Sequence, residues 1–143
     1  MTKCVLCAVD VSNADGNMKT LQVAGRLAAL DDAQLDVIAV VPDYGLSQVG
    51  GFFSAEHHDE MVAHATEALN TIVTKALDAA QNDKVRHLVA TGRAYEQILK
   101  TAERSGADLI VVGSHDPELS DYLLGPNSAR VVRHARCSVY VVR

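Results

Sequence analysis

The sequence predicts an α/β fold: one doubly wound, five-stranded parallel sheet with helices on both faces and strand order 3-2-1-4-5. Three observations predict it. Short apolar runs alternate with segments of helical period, strand then helix four times over, and a fifth strand follows. The strand runs are mostly continuous Val, Ile and Leu rather than alternating, the pattern of strands buried on both faces. The fourth run stops at Gly113, and a polar loop then leads to a second glycine, Gly125, just before a helix-like segment.

The elements follow in order. Cys4 to Val9 is the first strand and ends at Asp10. Residues 16–30 carry Met18, Leu21, Val23, Ala24, Leu27, Ala28 and Leu30 at helical spacing. Leu35 to Val41 is the second strand, ended by Pro42, which cannot donate to a ladder. Residues 43–55 form a loop with Gly45, Gly50 and Gly51, whose Phe52 and Phe53 are expected to tuck into the core. Residues 56–81 read as one long helix, with Met61, Ala65, Ala68, Leu69, Ile72, Ala76 and Leu77 on its stripe. Arg86 to Thr91 is the third strand, closed by Gly92, and Tyr95 to Arg104 a helix that stops before Gly106. Leu109 to Val112 is the fourth strand, Asn127 to His134 a short helix, and Cys137 to Val142 the fifth strand.

Right-handed crossovers leave few topologies for such a chain. In the order 3-2-1-4-5 the winding reverses between strands 1 and 4, so a crevice opens at their carboxyl ends. Asp10 and Gly113 then face each other across it, and the helix near Asn127 points its N-terminus at the same place.

Composition bounds the function. A length of 143 residues predicts one domain spanning 1–143, and 48% apolar with 22% charged residues is the balance of a soluble globule. The net charge is −5 with no basic cluster, which argues against a nucleic-acid partner. No apolar stretch approaches the ~20 residues of a membrane span, and Met1-Thr2-Lys3-Cys4 lacks a signal-peptide pattern, so no membrane association and a cytoplasmic location are expected. Cys4 and Cys7 fall in one strand, where an offset of three sends their side chains to opposite faces, so both read as buried packing rather than a redox or zinc pair.

Strand, glycine, polar loop, glycine and helix together suit a phosphate chain held on main-chain amides, because helix N-termini leave unpaired N–H groups and a partial positive charge. Pro126 is tolerated in the first turn of the helix but removes one amide from that nest. Ser128 reads either as a ligand-binding hydroxyl or as a helix cap. A carboxylate at Asp116 ~4 Å from a phosphate oxygen would cost on the order of 4 kcal/mol at an effective dielectric of ~20. It therefore points away or shares a divalent cation, and Pro117 biases it toward extended backbone. His57, His58 and His64 lie on or near a helix with no converging ligands, so no protein-held metal is expected.

Three stretches in this arrangement resemble the universal stress protein family: Val5-Leu6-Cys7-Ala8-Val9-Asp10-Val11-Ser12, Gly106 to His115, and Val131 to Val142. The resemblance covers essentially the whole chain and implies a Rossmann-like fold. The family's ATP binders carry Gly, two residues, Gly, nine residues, then Gly-Ser/Thr. Here Asp116 replaces the second glycine, the spacer is one residue shorter, and Pro126 follows Gly125. A bacterial subgroup with a shortened, Pro-containing phosphate loop and Leu-Leu-Gly before the helix is similar, and includes ATP binders. The resemblance implies that ATP is bound together with Mg2+ on its phosphates. Asp10 would approach the ribose or that metal. Ala8 and Val9 would flank the adenine, and Val40 would line its pocket. Val112 and Gly113 would contact adenine or ribose. Ser114, His115 and the Gly125 backbone would reach the phosphates, with Asn127 and Ser128 supplying amides and a hydroxyl. The last strand, 137–142, is an apolar sheet edge that predicts pairing with another chain, and the family is similar in pairing through it, so a homodimer is expected.

Three functions fit: a nucleotide-dependent switch in the stress response, a slow ATPase or autokinase, and an ATP-free dimeric interaction module. The first is favoured over turnover. Residues 113–128 hold no Lys or Arg, and no Gly-Lys-Ser/Thr of the Walker type is present. No catalytic residue is assigned, and little help for the phosphates is expected from cationic side chains.

Overall fold

In the computed structural model, the structure describes residues 2–12, 14–42, 55–114 and 126–143. Strand β1 (Cys4–Val9) leads to α1 (Ala14–Leu30), β2 (Gln34–Val41), α2 (Ala55–Ala76), α3 (Ala79–Asn82), β3 (Arg86–Thr91), α4 (Ala94–Ser105), β4 (Leu109–Gly113), α5 (Pro126–His134) and β5 (Ser138–Val142). The strands form one sheet in the order β3-β2-β1-β4-β5, all parallel, as the sequence predicts. The stretch holding Gly45, Gly50, Gly51, Phe52 and Phe53 lies outside the described residues.

Each face of the sheet carries its own core, because successive strand residues point to opposite sides. On one face Val5, Cys7, Val37 and Val111 pack with Leu21 and Ala24 of α1 and Leu69, Ile72 and Val73 of α2. On the other, Leu6, Ile38, Ile110 and Val112 pack with Ile98 and Ala102 of α4 and Val131 of α5. Cys7 accordingly lies in the first core, while Cys4, on the opposite face, lies 3.7 Å from the Asp36 carboxylate. Burial pushes the Cys7 thiol up to about 12. Burial also raises Cys137 and Cys4, with Asp36 adding to the rise at Cys4.

The long helix expected over 56–81 is two helices. The break falls at Leu77 and Asp78. The Asp78 side chain accepts from the Gln81 amide at 2.8 Å, and the Gln81 side chain accepts from the Asp78 amide at 3.4 Å, a capping box that starts α3. Helix α4 ends where expected: Gly106 takes φ of 66°, the left-handed conformation that glycine enters without steric cost.

Two carboxylates fasten the amino-terminal end of the sheet. Asp36 of β2 is fully buried, and Arg86 of β3 grips it with two parallel bonds, Nε to Oδ1 at 2.7 Å and Nη2 to Oδ2 at 2.8 Å. This hydrogen bonding holds the guanidinium above its ordinary range. Gln34 Nε2 also donates to Asp36 Oδ1, at 3.3 Å. Asp108, just before β4, accepts from the Lys3 and Cys4 amides at 2.7 and 3.1 Å, and these bonds pull its carboxyl below the ordinary value of 3.8. Among the described residues, no helix is long and apolar enough to cross a membrane.

Removing one partner strands a buried charge, so Arg86→Met should lower stability by about 3 kcal/mol in urea unfolding, while the double change Asp36→Val with Arg86→Met should regain much of it. Equal losses for the single and double variants would contradict this reading. Asp108 contributes stability that is complete above the unfolded pKa and lost as pH falls through the lower, folded one. The urea midpoint of Asp108→Ala should therefore trail wild type by a constant margin above pH 3.8, and that margin should narrow below it. A margin unchanged by acid would show that the carboxylate charge contributes nothing.

Candidate functional site

A cavity of about 690 Å³ opens where β1 and β4 part at their carboxyl ends. Its walls differ in chemistry. Over the α4 and α5 face it is lined by Ala8, Ile38, Val40, Ile98, Val112 and Val131, all apolar and all belonging to that side's core. On the α1 side the lining turns polar: Asp10, Ser12, Asn17, Lys19 and Thr20. Gly113, Asn127 and Ser128 complete it from β4 and the start of α5. The result is an apolar slot opening into a polar mouth.

Short hydrogen bonds hold the rim. Asp10 leaves β1 in an Asx-type turn, with its Oδ1 accepting from the Ser12 amide at 3.0 Å and the Ser12 hydroxyl at 2.6 Å. Asn17, buried on the first turns of α1, clasps the Asp10 backbone from both sides. Its Oδ1 accepts from the Asp10 amide at 3.0 Å, and its Nδ2 donates to the Asp10 carbonyl. Ser128 Oγ donates to the Gly113 carbonyl at 2.6 Å, which ties α5 to the end of β4. Gly113 packs closely against α1, since a Cβ there would stand 3.2 Å from Thr20 Oγ1.

Of the residues singled out from sequence, Ala8, Val9, Asp10, Val40, Val112, Gly113, Asn127 and Ser128 come together on this one cavity. They do so in different ways. The Ala8 and Val40 side chains belong to the slot side, whereas the Val9 side chain packs into the opposite core. Ser114 stands apart from the lining: it is buried, and its amide donates to the Val142 carbonyl at 2.9 Å, extending the β4–β5 pairing. His115, Asp116 and Gly125 lie outside the described residues.

Sequence reasoning missed Gly16, Asn17, Lys19 and Thr20 of α1, Ala94 and Ile98 of α4, and Arg143. Two of these, Lys19 and Arg143, are cationic residues, and they reach the lining from α1 and from just after β5, whereas residues 113–128 hold no Lys or Arg. Asn17 left a trace in the sequence. It occupies the stripe that continues through Leu21, Ala24 and Ala28 at helical spacing, and an amide on a buried stripe marks a polar task. Among the described residues, no group of three His, Cys, Asp or Glu could hold a metal ion.

Comparison with known proteins agrees with this architecture. The universal stress protein family matches residues 1–143. Universal stress protein G of Shigella flexneri is 32% identical over 146 residues, which covers 100% of each chain. Two solved structures share the fold. A universal stress protein in complex with cAMP superposes with a TM-score of 0.66 at 20% identity, covering 99% of this chain and 97% of that one. The universal stress protein from Archaeoglobus fulgidus in complex with dAMP gives 0.61 at 18% identity, covering 100% and 98%. By its sequence over the full length, and by the sheet order that the sequence implies and the structure displays, the chain belongs to the universal stress protein family.

Proposed function

We propose that the cavity binds an adenine nucleotide, ATP with Mg2+ on its phosphates, and that the protein acts as a nucleotide-dependent switch or sensor in the stress response. The observation that carries this reading is the two-part wall. The apolar slot of Ala8, Ile38, Val40 and Val112 suits a flat base, and the mouth offers polar and cationic groups beside the starts of two helices. A cavity of about 690 Å³ falls within the roughly 300–1,000 Å³ of small-ligand sites. The cAMP and dAMP complexes of the two structural neighbours lend support, since both ligands are adenine nucleotides.

In this reading Asp10 is placed for the ribose or for the metal. A carboxylate at the mouth is a hard oxygen ligand of the kind that shares Mg2+ with phosphates. Mg2+ would neutralise phosphate charge that Asp10 otherwise repels. Holding is favoured over turnover. Asp10 is the one carboxylate side chain among the described lining residues, and in this reading it is committed to the ribose or the metal. Efficient phosphoryl transfer needs a group free to orient the attacking water. The shortened loop with Pro126 at the first position of α5 fits the subgroup the sequence resembles. Ser128 would act from the α5 side while still bound to Gly113.

The homodimer expectation rests on β5. It is a sheet edge, and its Tyr140 is 45% exposed. An edge of this kind readily pairs with another chain, and a second copy of this strand is the partner proposed.

Titration calorimetry with Mg2+-ATP tests the site. Wild type should bind, and Gly113→Val, whose side chain must crowd Thr20 and fill the mouth, should bind at least roughly tenfold more weakly with an unchanged circular dichroism spectrum. Undiminished binding by that variant would place the nucleotide elsewhere. Sedimentation equilibrium tests the edge: wild type should run at twice 15.3 kDa, and Tyr140→Glu, which sets like charges against each other, should shift toward monomer. A monomeric wild type would remove the dimer.

A further inference from the structure

Residues 113–128 hold no Lys or Arg, yet the folded cavity has two cations on its wall. Lys19 comes from the second turn of α1, and Arg143 follows β5, so distant parts of the chain deliver charge to one rim. Lys19 Nζ donates to the backbone oxygen of Arg143, which pins the ammonium there. An ammonium has three donors, and that bond uses one of them. Gly16 and Asn17, near the start of α1, line the same wall, and a helix start adds partial positive charge. The apolar lining of Ala8, Ile38, Val40, Ile98 and Val112 lies on the sheet's other face. Charge is therefore confined to one end of the cavity, in a protein whose net charge is −5. Asp10 is the opposing charge on that wall.

We propose that Lys19, seconded by Arg143, reads the phosphate charge of the ligand, so that affinity rises from adenosine through AMP and ADP to ATP. The proposal rests on the adenine-nucleotide reading of the cavity and adds what that reading lacks, the groups that tell one phosphorylation state from another. The base slot treats all four ligands alike, because they share the adenosine moiety. Discrimination has to come from the charged end. Lys19 is suited to it because its stem is anchored on a helix packed against β1 while its head reaches the rim. Salt should weaken the discrimination, since groups at an open mouth are screened.

Calorimetry with adenosine, AMP, ADP and Mg2+-ATP, at low and at raised salt, tests this on wild type, Lys19→Gln and Lys19→Arg. A charge-assisted contact is worth enough that Lys19→Gln should lose roughly tenfold or more for ATP, with adenosine essentially unaffected and a flatter salt dependence. Lys19→Arg should keep most of the ATP affinity, and Arg143→Gln should lose part of it. Equal ATP binding by wild type and Lys19→Gln would overturn the proposal and leave the site reading standing. Equal losses for adenosine and ATP would also overturn it, because they would make Lys19 a structural tie between α1 and β5. Failure of wild type to bind any of the four ligands would remove both.

Discussion

The reversal of winding at β1 is the constraint on which the structure depends. The chain moves outward through β2 and β3, then returns to place β4 on the other side of β1. With right-handed crossovers, that return puts α1 and α2 on one face and α4 and α5 on the other. β1 leads to α1 on one face and β4 to α5 on the other, and at such a switch point a crevice opens at the carboxyl ends of the two strands. Everything placed at that gap inherits its character from the face it came from. The face under α4 and α5 contributes the apolar slot, with Asn127 and Ser128 at the start of α5, and α1 contributes its polar first turns.

The two ends of the sheet divide the work. At the amino-terminal end the buried Asp36 carboxylate is gripped by Arg86, and Asp108 holds the amides that begin β1. These are interactions that fix register and resist opening. At the carboxyl end the polar groups are spent more lightly. Asn17 satisfies the Asp10 backbone, and Ser128 satisfies the Gly113 carbonyl, so each side of the rim is held in place.

Much of this was legible in the sequence, for identifiable reasons. Asp10, Pro42 and Gly113 end their strands, so Ala8, Val40 and Val112 could be put at strand ends, and the topology brought those ends together. The rest was hidden by the same patterns. Helix α1 was read through its apolar stripe, which conceals Lys19 and Thr20 and treats Asn17 as incidental. Asp36 lies inside a run of Leu, Val and Ile whose continuity overrode the one charge in it. Its partner Arg86 is 50 residues away, which no local pattern shows. The Asp78 and Gln81 capping box was readable, but a long apolar stripe outweighed it. Arg143 reaches the mouth only because β5 is parallel to β4 and ends at the same level, a consequence of register rather than composition.

The most direct test is a titration of isotopically labelled protein with Mg2+-ATP, followed by amide and methyl shifts. The expected result is a set of perturbations centred on Ala8, Asp10, Val40, Gly113 and Ser128, with Asp36, Arg86 and Asp108 at the opposite end of the sheet left unmoved. Perturbations confined to any other surface, or none at saturating nucleotide, would contradict the central claim that the gap between β1 and β4 is where this protein meets its ligand.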